Sequence, residues 1–195
     1  GLLYGNPSAA YLSEFLLGAL EESSRKGAQL VLERCEPSGP ESKRAVRRLL
    51  GTGVSGVVLP PPLCESSLIR AELKAAGIPF VAVATGQPAP DVMSVRIDDF
   101  AAAAEMTRYL LSLGHRRLGF IKGHPNQTAS EERYRGFQAA LREANANLPE
   151  PRVEQGFFTY RSGLEAAAKL LEGRSRPTAI FASNDDMAAG VVAEA

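Results

Sequence analysis

Residues 109–123, YLLSLGHRRLGFIKG, constrain the fold of this chain more than any other stretch. Their leucines close an apolar pattern at helical spacing, and Gly114 suits the left-handed position just beyond a helix end. After a polar turn, residues 118–121 form a short apolar run typical of a buried strand. A helix that leads through a short turn into a buried strand is half of a parallel βαβ unit, so the chain is predicted to be α/β.

Similar units can be traced on both sides of this stretch. The predicted strands are residues 2–4, 29–32, 57–59, 80–83, 118–121, 153–158 and 179–181. The predicted helices carry the apolar patterns of residues 11–20, 45–50, 68–76, 100–113, 134–141 and 162–171, and a last helix opens at 183–185. Residues 92–97 are interpreted as an extended link, and Asp99 as the N-cap of the helix after it. Two series of units meeting near Asp98 predict two doubly wound parallel-sheet subdomains, residues 1–97 and an incomplete 98–195.

The loops after the strands are where function is expected. Right-handed crossovers place these loops at one edge of each sheet, where ligands bind, and two facing edges would form a cleft. The polar and aromatic residues of these loops and of the helix starts are Asn6, Tyr11, Gln127, Ser130, Arg133, Phe158, Tyr160, Asn184, Asp185 and Asp186. Amide, guanidinium, carboxylate and aromatic groups together suit a small polyhydroxylated molecule.

Each of the main candidates also has a purely structural interpretation. Asn6 could be a turn residue, and Tyr11 lies on the apolar stripe of its helix. Arg133 could be a solvated helix charge. Its replacement is expected to leave folding intact, because no core volume is lost. Phe158 could belong to the core, and Asn184 could be a helix N-cap.

The composition narrows the possible functions. Lys plus Arg and Asp plus Glu are both 22, and a zero net charge argues against a nucleic-acid-binding surface within this piece. Two cysteines make no disulfide framework, which fits a reducing cytoplasm. The chain has no apolar run of the roughly 20 residues needed to cross a membrane. It has no catalytic, metal-ligand or phosphate-binding motif, so neither an enzyme nor a cofactor is expected. Both ends look cut from a longer protein.

Five blocks of sequence resemble one known family. They are LLYGNPSAAYLSEFLLGALEES, VRIDDFAAAAEMTRYLLSLGHRRLGFIKG, SEERYRGFQAAL, FFTYRSGLEAAAKLL and RPTAIFASNDDMAAG. In this order they resemble the effector-binding core of lac-repressor-type transcription regulators. The resemblance implies a periplasmic-binding-protein-like fold with an effector cleft between its subdomains, a helix-turn-helix headpiece that is absent here, and a homodimer.

The resemblance also implies roles for individual positions. Arg133 matches the arginine of an RxxGF pattern that reaches the effector, and Tyr11 matches an aromatic residue at the start of the first helix. Phe158 matches an aromatic effector contact, and Asn184 with Asp185 matches an Asn-Asp pair after a strand. The sequence departs from the pattern where Ala84 replaces a charged residue and Phe157 replaces an acidic one.

The leading interpretation is therefore a cytoplasmic repressor core that senses a sugar or glycoside, with a purine as the second ligand class. Through its headpiece the complete regulator would bind operator DNA. The alternative is a periplasmic solute-binding protein of a sugar uptake system. The sequence upstream of this chain, a helix-turn-helix or a signal peptide, would separate the two.

Overall fold

In the computed structural model the chain divides into two compact units, Gly1–Arg96 and Ile97–Ala195. The structure describes residues 1–5, 8–144 and 148–195. Both units alternate strands with helices and contain a parallel sheet, which confirms the predicted fold class. The assignment of residues 1–97 and 98–195 as separate domains stays a prediction.

The first unit is built on a five-stranded parallel sheet with the order β2-β1-β3-β4-β5. Its strands are β1 Leu2–Tyr4, β2 Leu32–Arg34, β3 Val57–Leu59, β4 Phe80–Val83 and β5 Met93–Val95. Its helices are α1 Ala9–Arg25, α2 Pro40–Gly51, a 3-10 turn Leu63–Glu65 and α3 Ser67–Ala75. This strand order places a topological switch point between β1 and β3.

Three predictions for the first unit are corrected by the structure. The link at residues 92–97 contains strand β5, which pairs with β4 and accepts a hydrogen bond from Ala84 N–H at 2.8 Å. Strand β2 lies later than the predicted residues 29–32, since this edge strand carries Glu33 and Arg34 and lacks an apolar run. Helix α2 begins at Pro40, before the predicted apolar pattern 45–50, because proline is well suited to the first helical position.

The second unit contains a three-stranded parallel sheet with the order β7-β6-β8. Its strands are β6 Leu118–Lys122, β7 Arg152–Gln155 and β8 Ala179–Ala182. Its helices are α4 Asp99–Ser112, α5 Thr128–Ala144, α6 Tyr160–Leu171 and α7 Asp185–Glu194. The central strand β6 is the apolar run that the sequence predicted, and all of its residues but the last are buried.

An aromatic cluster packs helices α4 and α5 against one face of the second sheet. The ring of Phe120 in β6 is fully buried, with its centroid 4.7 Å from that of Phe137 and 5.1 Å from that of Phe181. Helices α4 and α5 cross closely at Gly136, where an added Cβ would lie 2.1 Å from the carbonyl oxygen of Phe100. The cluster and the crossing together hold the start of α4 against α5.

The start of α4 differs from the prediction by one residue. Asp98, not Asp99, is the N-cap, and its Oδ1 accepts a hydrogen bond from Ala101 N–H at 2.9 Å. Asp99 is the first helical residue, and it is buried.

Among the described residues, none of the helices combines the length and the apolar character that crossing a bilayer requires.

Candidate functional site at the carboxyl edge of the second sheet

The segments that follow β6, β7 and β8 share one edge of the second sheet. The three strands are parallel, so their carboxyl ends lie side by side. The order β7-β6-β8 places a switch point between β6 and β8, where ligands of open α/β sheets bind. Helices α5, α6 and α7 begin at this edge. It is therefore the place in this unit to look for a ligand site.

Phe158 lies in this edge with an unusual backbone conformation. Its φ is +61°, a left-handed value that a bulky residue adopts only when its surroundings hold it there. The predicted strand 153–158 accordingly ends early, at Gln155. The ring is buried and rests on Gly123, where an added Cβ would lie 2.0 Å from Cζ. Phe158 thus belongs to the core, as its structural interpretation proposed, while its role as an effector contact stays a prediction.

Arg133 is anchored inside this edge. Its side chain is 26% exposed, and its Nε donates to Oδ1 of Asp99 at 2.8 Å. Nη1 donates a short hydrogen bond to the carbonyl oxygen of Ser183, which follows β8. The guanidinium carbon lies 5.9 Å from the centroid of the Phe158 ring. The interpretation of Arg133 as a solvated charge is therefore wrong.

The outer edge of this guanidinium remains available. Nη2 donates to none of the residues that the structure describes, although an arginine carries five N–H donors in a fixed fork. Such a partly buried donor edge suits hydroxyl or carbonyl acceptors of a ligand.

Asp99, which was predicted to be a helix N-cap, is instead the partner of Arg133. Its side chain is only 2% exposed, and it is the first residue of α4. The positive end of the helix dipole and the Arg133 guanidinium both stabilise a carboxylate there. One signal in the sequence pointed to it: of two adjacent aspartates, only one can cap the helix.

Asn184 is an N-cap, as its structural interpretation proposed. Its Oδ1 accepts from Met187 N–H at 3.0 Å, and its Nδ2 donates to the carbonyl oxygen of Phe158 at 3.1 Å. It therefore ties the segment after β8 to the segment after β7. Asp185 is exposed in the first turn of α7. Direct effector contacts by Asn184 and Asp185 stay predictions.

Ser130 and Gln127 are two further polar residues of this edge, and neither was predicted to contact the effector. Ser130 is buried, and its Oγ accepts from Gly123 N–H at 2.8 Å. Gln127 is also buried, and its Nε2 has no hydrogen-bond partner among the described residues. Buried amide groups are nearly always paired, so this one distinguishes Gln127 from its neighbours.

An imidazole and an aromatic ring lie beside these residues. The His124 ring makes an edge contact with the Phe157 ring, with centroids 5.6 Å apart. Burial lowers the pKa of His124 below its ordinary value, which favours the neutral ring. The described part of the chain has no group of three or more His, Cys, Asp or Glu side chains placed to hold a metal ion.

The remaining site predictions concern the first unit. Asn6 lies outside the described residues. Tyr11 is half-buried in the first turn of α1, and its ring stacks on Phe15 with centroids 6.2 Å apart. Ala84, directly after β4, has a φ of +53° and is the other described non-glycine residue with a positive φ. The second unit thus brings together Arg133, Phe158 and Asn184, whereas Tyr11 belongs to the first unit.

Comparisons with known proteins extend over the whole chain. A family model described as periplasmic binding proteins and sugar binding domain of LacI family matches residues 1–195. Catabolite control protein A of Priestia megaterium is 26% identical over 193 residues, which are 98% of this chain and 58% of that protein. The HTH-type transcriptional repressor PurR of Klebsiella pneumoniae is 30% identical over 197 residues, covering 100% of this chain and 58% of that repressor.

The similarity to transcription regulators extends to the three-dimensional structure. The complex of the transcriptional regulator CelR with cellobiose superimposes with a TM-score of 0.86 at 30% identity. The match covers 99% of this chain and 61% of that one. The chain therefore spans less than two thirds of the length of each of these proteins.

Proposed function

Because the chain belongs to the family of periplasmic binding proteins and LacI-type sugar-binding domains, we propose that it is the effector-sensing core of a transcription repressor. The observation that carries the proposal is Arg133, a partly buried cation at a strand edge whose outer donors are unused by the described residues. The curated relatives reported above are transcription regulators, which favours sensing over catalysis.

The proposed effector is a sugar or a glycoside. Arg133 would donate to neighbouring hydroxyls, and the Phe158 ring would cover an apolar face of the ligand. Asn184 and Asp185 would add polar contacts from the start of α7, and Asn6 and Tyr11 would contribute from the first unit. The structure of the similar regulator CelR is that of its complex with cellobiose, which supports this ligand class. A purine stays the second class.

The proposed mechanism is a population shift. The effector binds one closure state of the two units better than the other, and this difference in affinity moves the equilibrium between them. In a homodimer such a shift would change the spacing of two headpieces on operator DNA. The headpiece, the homodimer and a cytoplasmic location are parts of this proposal and rest on the family.

The second candidate function is solute binding for a sugar uptake system, since the family description includes periplasmic binding proteins. The regulators among the relatives disfavour it.

A ligand screen followed by titration tests the proposal. The 195-residue chain is heated with a panel of mono- and disaccharides and purine bases, because a ligand that binds only the folded state raises its stability. The best ligand is then titrated by calorimetry into the wild type and into Arg133→Lys. Lysine keeps the charge near Asp99 but loses the forked donor edge.

We expect Arg133→Lys to weaken binding roughly 10- to 150-fold, which corresponds to about 1.5–3 kcal/mol for hydrogen bonds from a charged donor. The matched control is Arg135→Lys, two residues along α5, whose side chain is 56% exposed and paired with Glu132. It should bind as the wild type does. Equal affinity of both variants and the wild type would overturn the assignment of Arg133.

A further inference from the structure

We propose that Asp99 sets the charge preference of this site, so that the effector is an uncharged polyhydroxylated molecule and not a phosphorylated one. The inference rests on the proposed function and narrows its ligand class. A sugar phosphate brings a doubly charged group that proteins bind with cations or with free N–H groups at helix N-termini. The carboxyl edge of the second sheet has both cations and helix N-termini.

The cations of this edge already have partners. The charge of Arg133 is paired with the buried Asp99 carboxylate. Lys122, the last residue of β6, has its Nζ 3.8 Å from the centroid of the Tyr134 ring and 3.9 Å from the Glu131 carboxylate. Arg161, in the first turn of α6, lies 2.8 Å from Glu165 and is largely exposed. Burial lowers the pKa of His124 and so disfavours a positive charge on its ring.

The helix N-termini of this edge are also poorly suited to a phosphate. Acidic side chains stand in the first turns of α5 and α7, at Glu131 and at Asp185 and Asp186, where they repel a phosphate. Helix α6 has no acid in its first turn, but a capping box closes it. There Thr159 Oγ1 accepts from Ser162 N–H at 3.2 Å, and Ser162 Oγ accepts from Thr159 N–H at 3.3 Å.

The Nη2 edge of Arg133 is left for a ligand, and the positive charge of that guanidinium is compensated by Asp99. The Nη2 hydrogens of Arg133 can donate to sugar hydroxyls whether or not the guanidinium charge is compensated. A phosphate would lose this advantage, because the Asp99 carboxylate lies on the same guanidinium and repels it. Asp99 is thus a specificity-determining residue that acts through Arg133 and touches no ligand atom itself.

The test compares neutral sugars with their phosphate esters. Glucose and glucose 6-phosphate, and fructose and fructose 1-phosphate, are titrated by calorimetry into the wild type and into Asp99→Asn, with cellobiose as a further neutral probe. We expect the wild type to bind the neutral member of a pair at least 10-fold more tightly. Asp99→Asn, which keeps an Oδ1 acceptor for Arg133 but removes the charge, should reduce that ratio at least 10-fold.

A merely structural role for Asp99 would weaken both members of a pair equally and leave the ratio unchanged, and that result would overturn the inference. The matched control is Glu143→Gln, which removes the exposed carboxylate 2.8 Å from Arg108 and should leave the ratio as in the wild type. Circular dichroism confirms that each variant is folded before titration.

A second measurement needs no variant. Inorganic phosphate at 10 mM should leave the wild-type affinity for the neutral sugar unchanged. Competition by phosphate, or tighter binding of a sugar phosphate than of its neutral parent, would overturn the inference and leave the proposed function standing. Binding of neither sugars nor sugar phosphates would overturn the inference together with the proposed sugar class of effector, and binding of a purine base would then leave the sensing function standing.

Discussion

Replacing Arg133 with methionine should destabilise the second unit far more than a surface substitution does. The variant Arg133→Met keeps roughly the length of the side chain and removes its charge. It leaves the Asp99 carboxylate, whose side chain is 2% exposed, without its cation. It also removes the donor to the carbonyl oxygen of Ser183. The structure thus changes the expectation from sequence that folding would be unaffected.

The expected size of the effect follows from burial. Removing one partner of a buried ion pair costs about 3–5 kcal/mol, because the other charge is left unpaired. Two features reduce this value: Arg133 is 26% exposed, so water reaches the pair, and the dipole of α4 stabilises a carboxylate by roughly 0.3–1 kcal/mol. We therefore expect a loss of about 2–4 kcal/mol in the free energy of unfolding.

A second ion pair between the same two helices provides the control. Arg108 of α4 lies 2.8 Å from Glu143 of α5, but the two side chains are 54% and 56% exposed. Exposed pairs contribute about 0–1 kcal/mol, so Arg108→Met should cost less than about 1 kcal/mol. Both variants are measured by urea denaturation followed by circular dichroism.

The double variant Arg133→Met with Asp99→Asn separates pairing from packing. It should recover part of the loss, because it removes the unpaired charge. Equal stability of Arg133→Met and Arg108→Met would refute the argument, and so would a double variant whose loss equals the sum of the two single losses.

Three further predictions concern packing, capping and the thiols. Gly123→Ala should lower the free energy of unfolding by about 1–3 kcal/mol in urea denaturation, because the new Cβ meets a phenylalanine ring, whereas Gly18→Ala, on an open helix face, should raise it by about 0.5–1 kcal/mol. Asn184→Ala should cost about 0.5–2 kcal/mol in thermal denaturation, and Asn184→Asp, which keeps the capping oxygen, should cost less. Burial raises the pKa of Cys35 to about 11 and that of Cys64 to about 12, so both thiols should react with Ellman's reagent at pH 8 only after unfolding. Because unfolded thiols ionise near pH 8.5, the raised pKa values should also make stability fall as the pH rises from about 9 towards 11 and 12, and rapid labelling of the native chain would contradict this assignment.

Local sequence determined which segments became helices and buried strands. The apolar run at residues 118–121 became the central strand β6, and the polar pattern before Met187 became a helix N-cap at Asn184. These features depend on backbone periodicity and on hydrogen bonds between residues three or four positions apart, so they are legible in one stretch of chain. The edge strands were harder to predict from sequence, since two of the three residues in β2 and in β5 are exposed and neither strand has a continuous apolar run.

Sequence position also determined which residues lie near the candidate site. Arg133, Phe158 and Asn184 were selected because they follow parallel strands, and the parallel sheet then places them at one edge. What each side chain does there was decided by tertiary structure alone. Arg133 meets Asp99 across 34 positions and Ser183 across 50, and these meetings require the crossing of α4 with α5 and the order β7-β6-β8. A local pattern marks a residue as polar, but only the packed fold supplies its partner, because the burial and charge around a side chain come from segments distant in the sequence.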